Sequence, residues 1–311
     1  MAGNVKALQR NGMTIGRFAP SPTGRMHLGN VFCALLSWLS AKSQGGEWRL
    51  RIEDLDPDRS RRDFALQLMD DLQWLGLPWD REVVWQSQRS DIYEHYLGQL
   101  QDAGLTYPCF CSRADIMATQ APHETDGRIV YAGTCRGKKL DEMGKNVPFA
   151  IRFLVPDEVI TFQDGHYGEQ HVNLSQHCGD YVLRRKDGAW AYQLAVVVDD
   201  ALMGITEVVR GRDLLLSTPQ QLHLYSTLGF KEPTYIHHPL LVNENGQRLC
   251  KRDKSLDLSC LRSTHKNPDE IVGFLAFLAG ILPSPTPLNP QDLLPLFSWQ
   301  KVPTEDITAC L

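Results

Sequence analysis

The chain has 311 residues, which is enough for two domains and a substantial core. Hydrophobic residues make up 42% and charged residues 22% of it, values that are close to the average for soluble globular proteins. The net charge of −5 excludes a generally basic nucleic-acid binder but leaves room for local basic surfaces. No run of about 18 apolar residues occurs, and residues 1–13 lack the apolar core of a signal peptide. We therefore expect a cytoplasmic protein with a flexible extension over 1–13 and no membrane partner.

The first third of the chain alternates between strand and helix patterns. The patterns predict strands over 14–19 and 47–52 and helices over 28–44, 60–75 and 89–103. Ser60 is the predicted N-cap of the second helix, and Gly45-Gly46 ends the first. This alternation is typical of an α/β fold with a layered sheet, and we assign residues 14–105 to its first half.

The character of the sequence changes over residues 106–145, which contain three cysteines, several glycines and little periodicity. We predict an inserted subdomain there, within an insertion that we assign to residues 106–190. Strand patterns return over 149–155, 159–162, 180–185 and 205–211, before a helix over 213–228 and a strand over 234–242. We assign 191–255 to the second half of the sheet domain. Residues 256–311 form a short helical C-terminal region, with helices predicted over 267–281 and 290–298.

The stretch RFAPSPTGRMHLGN, residues 17–30, joins the first strand to the first helix through a turn rich in proline and glycine. A helix start favours an anion because its N–H groups are unpaired and its dipole is positive there. Neither a G-x-G-x-x-G fingerprint nor a P-loop is present, which leaves His27 and Gly29 at the helix entry. His27 is suited to donate to a phosphate, and Gly29 to let a nucleotide approach the backbone. An ordinary surface histidine in a βα turn is the alternative.

Two further charged stretches have both a functional and an ordinary interpretation. RLCKRDKS, residues 248–255, is either a solvated basic loop or a mobile loop whose lysine reaches a polyphosphate. Arg51-Ile52-Glu53-Asp54 ends a predicted strand, and ligands of open α/β sheets bind at the carboxyl ends of strands. A carboxylate there suits a ligand's ammonium group, and Arg17 or Arg210 suits a carboxylate. Surface ion pairs, which contribute only about 0–1 kcal/mol, are the alternative.

Three of the eight cysteines, Cys109, Cys111 and Cys135, lie close together in the sequence. In a reducing cytosol such a cluster favours a structural zinc site over disulfides. Zinc prefers four ligands in a tetrahedron, and the fourth is either His123, the commoner ligand type, or Tyr131. Cysteines that bind no metal are the alternative.

Taken in chain order, these motifs resemble one family. Arg17 to Gly24, His27-Leu28-Gly29 and Arg51 to Asp56 closely resemble the glutamate branch of class I aminoacyl-tRNA synthetases. His27 to Asn30 matches the "HIGH" signature of that class, and residues 248–252 stand where its "KMSKS" loop is expected. Ala195 to Asp200 and Glu207 to Gly211 also look like the family, so the resemblance covers about residues 14–255.

The resemblance implies a Rossmann-type catalytic domain with an inserted zinc-binding subdomain, which joins L-glutamate to ATP. The implied glutamate pocket consists of Arg17, Phe18, Ala19, Pro20, Ser21, Glu53, Tyr192 and Arg210. The implied ATP-binding residues are His27, Gly29, Asn30 and Lys251. His27 and Lys251 are also the expected catalytic residues, because they would stabilise charge on the phosphates, with Mg²⁺ as counter-ion.

Residues 256–311, which follow the basic loop, are too few for the helical anticodon-binding domain of an ordinary member. The length and the cysteines resemble a shorter family of the same branch. Its members activate glutamate without tRNA and transfer it to queuosine in the anticodon of tRNA(Asp). In that family, zinc is held by residues matching Cys109, Cys111, Tyr131 and Cys135, which implies Tyr131 in place of His123. We expect a monomeric tRNA-modifying ligase whose partners are L-glutamate, ATP and queuosine-containing tRNA(Asp).

The sequence departs from the family pattern at three positions. Asn30 is the fourth residue of the "HIGH" match, and Arg248 and Cys250 replace the usual lysine and serine of the loop. Three alternatives stay open. A truncated glutamyl-tRNA synthetase would charge a tRNA 3′ end, and an inactive tRNA-binding paralogue would explain the altered loop. A class I nucleotidylyltransferase shares a similar turn, but Asn30 and the Arg51 to Asp54 run disfavour it.

Overall fold

The computed structural model describes residues 12–118, 130–138, 147–247, 249, 257–264 and 267–309. Most of the predicted N-terminal extension, His123 and Lys251 therefore lie outside the described residues, as do Arg248 and Cys250. No helix in the described ranges is long and apolar enough to cross a membrane.

The strands are short and occur along most of the chain. They are β1 (Ile15–Phe18), β2 (Glu47–Ile52), β3 (Asp80–Trp85), β4 (Thr106–Cys109), β5 (Ala150–Phe153), β6 (Val159–Asp164), β7 (Gly168–Asn173), β8 (Val182–Arg184), β9 (Glu207–Gly211), β10 (Thr234–His238), β11 (Leu241–Val242) and β12 (Ile307–Thr308). The helices are α1 (Leu28–Ser43), α2 (Arg62–Trp74), α3 (Ser90–Asp102), α4 (Arg113–Ala118), α5 (Leu174–His177), α6 (Tyr192–Leu202), α7 (Thr218–Thr227), α8 (Leu258–Thr264), α9 (Pro268–Leu278) and α10 (Pro290–Leu293).

A parallel layer carries the first and third parts of the chain. β1, β2 and β3 pair in parallel in that order, and β9 pairs in parallel with β10. β1 lies beside β9, since the Thr206 N–H donates to Ile15 O at 2.9 Å and the Ile15 N–H donates to Thr206 Oγ1 at 2.8 Å. This layer confirms the predicted α/β class and brings the carboxyl ends of β1 and β9 to one edge.

α1 is the central helix of the main core. Its side chains Leu35, Trp38 and Leu39 are fully buried because the helix packs against β1, β2 and β9. This packing explains why the apolar pattern over 28–44 is so dense, and it fixes the start of α1 at the edge where β1 and β9 end.

The described parts of 106–190 form antiparallel sheets of their own. β5 lies between β4 and β8, and β6 and β7 form a hairpin. The tip of this hairpin is anchored to β10, because the Gly165 N–H donates to Tyr235 O at 2.8 Å. A Cβ at Gly165 would lie 2.7 Å from Ile236 Cγ1, so the close approach requires glycine. The domain boundaries at 105 and 190 stay predictions.

The C-terminal region contains helices α8 to α10 and then the strand β12, which belongs to a separate two-stranded sheet. β12 pairs in parallel with β11, and Arg212 donates to the Asp306 carboxylate through both Nε and Nη2. Tyr167, at the tip of the β6–β7 hairpin, donates its hydroxyl to Thr304 O at 2.7 Å. The end of the described chain therefore joins the hairpin tip to β11.

Several sequence-based element predictions are wrong in detail. Arg61 and not Ser60 is the N-cap of α2, because the Ser60 N–H donates to Asp56 O at 2.8 Å and so belongs to the preceding turn. The predicted strand over 234–242 is interrupted after β10 at Pro239, which has no N–H to donate. The patterns did not predict β3, where no residue is buried and the apolar signal is correspondingly weak.

Candidate active site

A cavity of about 480 Å³ opens at the edge where β1 and β9 end and α1 begins. It is lined by the predicted glutamate-binding residues Arg17, Phe18, Ala19, Pro20, Ser21, Glu53, Tyr192 and Arg210 and by the predicted nucleotide-binding residues His27, Gly29 and Asn30. The structure thus brings together eleven residues from four separate places in the sequence, namely residues 17–30, Glu53, Tyr192 and Arg210. Their roles stay predictions, since the cavity shows only that they share a site.

His27 is the N-cap of α1. Its Nδ1 accepts the Gly29 N–H at 3.1 Å, and Asn30 Oδ1 accepts the His27 N–H at 3.1 Å. This reciprocal arrangement satisfies two backbone donors at the helix start and fixes the imidazole ring. Because Nδ1 is an acceptor, the neutral ring carries its proton on Nε2, the correct form for donating to a phosphate oxygen.

Gly29 has a more immediate purpose than the one that the sequence suggested. A Cβ at this position would lie 3.0 Å from both Cε1 and Nδ1 of His27. Any side chain there would push against the imidazole, so Gly29 allows the capping geometry of His27. Asn30, which departs from the "HIGH" pattern, completes the cap with its side-chain oxygen.

A buried ion network supports one wall of the cavity. Arg51 is fully buried and donates to Asp200, and its Nη2 donates to Glu53 Oε1 at 3.0 Å. Arg17 Nε lies 3.3 Å from both carboxylate oxygens of Asp200. Burial opposes ionisation of Asp200, but the two guanidinium groups lower the pKa of this carboxyl below its ordinary value. Burial raises the pKa of Glu53 despite Arg51, so a cationic ligand would favour its charged form.

Sequence reasoning missed Asp199 and Asp200 as supports of this site. Asp199 accepts from Arg89 Nε at 2.6 Å, Gln86 Nε2 at 2.8 Å and the Tyr93 hydroxyl at 2.8 Å. Two acidic residues at the end of the apolar run of α6 were the available signal, because buried carboxylates need partners.

Arg210 contacts neutral acceptors. Its Nε donates to His237 Nε2 at 3.0 Å, Nη1 to Gln221 Oε1 at 2.8 Å and Nη2 to Thr218 Oγ1 at 2.9 Å. The guanidinium carbon also lies 4.9 Å from the centre of the Tyr235 ring. No carboxylate of the described residues forms an ion pair with Arg210, although only 4% of the residue is exposed.

Tyr192 and a second cavity extend the site. Tyr192 is the first residue of α6, and burial raises the pKa of its hydroxyl, which is therefore a neutral donor. The second cavity, of about 300 Å³, shares Ser21, Glu53 and Tyr192 with the first. Its other wall includes Arg59, Arg185 and Trp190.

The predicted nucleotide contact Lys251 lies outside the described residues, but the residues that flank its loop lie at the cavity. Leu249 lines the cavity, and its N–H donates to Leu241 O at 3.1 Å. Asp257 forms an isolated β-bridge with His27, and the Leu258 N–H donates to Met26 O at 2.9 Å.

The predicted metal ligands form one cluster away from the cavity. The thiols of Cys109, Cys111 and Cys135 lie within 4.8 Å of one another. Tyr131 Oη lies 3.4 Å from Cys109 Sγ and 3.7 Å from Cys111 Sγ, and it accepts the Cys135 N–H at 2.8 Å. Burial opposes ionisation of Cys135, but hydrogen bonds from Tyr131 and a backbone N–H lower its pKa to about 7. Three thiols and one phenol at these distances fit a tetrahedral zinc site.

The fold and the cavity define a class I aminoacyl-tRNA synthetase catalytic domain. A model of the catalytic domain of class I tRNA synthetases (E and Q) matches residues 14–284, and the chain belongs to this family of ligases. The relatives that it resembles include the Glutamyl-Q tRNA(Asp) synthetase of Nitratidesulfovibrio vulgaris, which is 44% identical over 95% of both chains. The protein of the same name from Neisseria meningitidis serogroup C (strain FAM18) is 48% identical over 79% of this chain and 84% of its own.

A solved structure agrees with this assignment. The glutamate-tRNA synthetase of Elizabethkingia anophelis superposes with a TM-score of 0.83 at 28% identity, covering 96% of this chain and 68% of that chain. The resemblance to the glutamate branch that the motifs predicted is therefore confirmed, and so is the resemblance to its shorter family.

Proposed function

We propose that this protein uses ATP to activate L-glutamate as glutamyl-adenylate without tRNA, and then transfers the glutamyl group to queuosine in the anticodon of tRNA(Asp). One observation carries the proposal: Arg17, Arg210 and Glu53 share a single cavity with the His27 helix start. The two arginines suit the two carboxylates of an acidic amino acid, and Glu53 suits its ammonium group. The helix start at His27 suits a polyphosphate. The names of the curated relatives support the choice of tRNA(Asp) as the acceptor.

In the first step an oxygen of the glutamate α-carboxylate attacks the α-phosphorus of ATP. The bond from this phosphorus to the bridging oxygen breaks, and pyrophosphate leaves with the Mg²⁺ that accompanied ATP. Glu53 would hold the ammonium group, while the His27 Nε2–H at the start of α1 would donate to the phosphates. Lys251, which lies between Leu249 and Asp257 in the sequence, would contact the phosphates as well.

In the second step a queuosine hydroxyl oxygen attacks the acyl carbon of the adenylate. AMP leaves, and the hydroxyl proton passes to solvent. The second cavity supports this step because Glu53 and Tyr192 line both cavities, so the second one adjoins the first. Arg59 and Arg185 would attract nucleotide phosphates, and Trp190 offers an aromatic surface.

We also propose that Cys109, Cys111, Tyr131 and Cys135 hold a structural zinc ion. The three clustered thiols and the adjacent phenol support this ligand set. Zinc would cross-link β4 to the segment that contains Tyr131 and Cys135. The buried cluster in which these residues lie is small, so the metal would add to its stability.

Glutamate-dependent exchange of labelled pyrophosphate into ATP, measured without tRNA, tests the activation step. We expect exchange in the wild type and a large loss of it in Lys251→Ala. The control is Lys301→Ala, because Lys301 is exposed and does not line the cavity. Lack of exchange in a folded, zinc-loaded wild type would favour the inactive paralogue, and a wild-type rate in Lys251→Ala would remove this lysine from the site.

A further inference from the structure

Arg210 is held by a chain of buried groups that does not touch the cavity. His237 lies directly opposite Arg210 in the parallel pairing of β9 and β10, and it is fully buried. Its Nε2 accepts from Arg210 Nε at 3.0 Å, and its Nδ1 lies 2.6 Å from Asp164 Oδ2. His237 itself is not among the residues that line the cavity.

The chemistry of the three groups determines where the protons lie. A guanidinium always carries its protons, so His237 Nε2 must be the acceptor and Nδ1 must carry the ring proton that is donated to Asp164. Burial, with the nearby Arg210 charge, lowers the pKa of His237 to about 4 in spite of Asp164. The imidazole is therefore neutral at physiological pH.

Asp164 is itself firmly oriented. It ends β6, and its Oδ1 accepts the N–H groups of His166 at 3.0 Å and Tyr167 at 2.9 Å. The β6–β7 hairpin thus places a buried carboxylate behind Arg210, on the side away from the cavity.

We propose that His237, oriented by Asp164, is a positioning residue that directs Arg210 without neutralising it, so that its charge remains for a carboxylate of the substrate amino acid. This inference rests on the proposed activation of glutamate. Arg17, by contrast, already lies against the Asp200 carboxylate. A carboxylate in direct contact with Arg210 would repel the substrate carboxylate and favour a neutral amide in its place.

The arrangement also explains why the acceptor is an imidazole. A neutral acceptor fixes the guanidinium plane through Nε and keeps the Asp164 carboxylate one imidazole ring away from the positive charge. Gln221 and Thr218 fix Nη1 and Nη2 in the same neutral way. The site therefore distinguishes glutamate from glutamine by the charge that its own partners leave on Arg210.

Pyrophosphate exchange with the whole protein tests this role, with KM values for glutamate and ATP measured separately. We expect His237→Leu to raise the KM for glutamate about tenfold or more, because the charged Nε–H loses its acceptor, while the KM for ATP stays unchanged. His237→Gln keeps a neutral acceptor, so its KM for glutamate should lie close to the wild-type value. His237→Glu should lower the preference for glutamate over glutamine, and His223→Gln, outside the cavity and this chain of groups, is the control.

Two outcomes separate this inference from the proposed function. A wild type without glutamate-dependent exchange would contradict the proposed function. An active wild type whose His237→Leu variant keeps the wild-type KM for glutamate would contradict the positioning role alone. Should the variants fail to fold, the ¹⁵N signals of the His237 ring in the wild type decide: a neutral Nδ1–H form is expected at neutral pH, and an Nε2–H form or an imidazolium would overturn the inference.

Discussion

Arg17 and Arg210 face the same cavity but differ in their partners. Arg17 Nε lies 3.3 Å from the Asp200 carboxylate, whereas Arg210 Nε donates to the neutral ring of His237 at 3.0 Å. Arg17 is therefore part of an ion network that holds the wall together. Arg210 has no carboxylate partner among the described residues.

Asp200→Asn tests the buried ion network. The change deprives the buried Arg17 and Arg51 of a carboxylate, so we expect the free energy of unfolding to fall by about 3–5 kcal/mol. Urea unfolding measures the effect. The control is Asp63→Asn, which removes the partner of Arg61 in an exposed pair and should leave the unfolding midpoint nearly unchanged. Equal midpoints in the two variants would show that the network does not stabilise the fold.

Gly29→Ala tests the link between the α1 cap and the nucleotide. The new Cβ would meet the His27 ring at 3.0 Å, so the imidazole must move and its cap bond weakens. We expect a higher KM for ATP in pyrophosphate exchange and an unchanged KM for glutamate. Gly98→Ala, in α3, meets nothing within 4 Å and should keep full activity. An unaltered KM for ATP in the Gly29 variant would contradict the assigned role of the helix start.

The buried histidines predict a loss of stability in acid. His237 and His238 have pKa values of about 4 in the folded state, against about 6.5 when unfolded, mainly because burial disfavours the charged rings. The unfolded state therefore binds more protons between these values, and each histidine lowers the free energy of unfolding by about 1.4 kcal/mol per pH unit as the pH falls through this window.

Urea unfolding between neutral pH and mildly acidic pH measures that slope. We expect His237→Gln to reduce the slope, since one of the two groups no longer titrates, and the exposed His95→Gln to leave it unchanged. An identical slope in wild type and His237→Gln would mean that His237 titrates alike in both states.

The zinc site predicts a metal content that depends on the cysteine cluster. Cys109→Ser removes one thiolate, so we expect substoichiometric zinc by elemental analysis and a lower melting temperature. Cys260→Ser is the matched control because Cys260 is exposed and lies outside the cluster. Full zinc retention in the Cys109 variant would refute the ligand set.

The motifs predicted which residues share the site, but not why each one is there. His27, Gly29 and Asn30 are adjacent in sequence, so a helix entry could be predicted, whereas the capping bonds depend on side-chain geometry. Asp200 is 149 residues from Arg51, and Asp164 is 73 residues from His237. Such pairs join elements whose register the sequence pattern does not reveal.

The weakest element predictions have a related cause. β3 has no buried residue, so the alternating apolar signal that predicted β2 is absent there. The sequence predicts Ser60 as the N-cap of α2, because a hydroxyl three residues before Asp63 suits a capping box. In the structure the Ser60 N–H donates to Asp56 O, so Ser60 belongs to the preceding turn and Arg61 is the N-cap. Local propensity alone did not distinguish these two uses of one serine.

The most direct test of the proposed function is the transfer of labelled glutamate to tRNA(Asp) with and without queuosine, followed by nuclease mapping of the labelled nucleotide. We expect label on queuosine in the anticodon and none on tRNA that lacks this base. Label on the 3′-terminal adenosine, independent of queuosine, would refute the proposed transfer and identify a tRNA-charging enzyme instead.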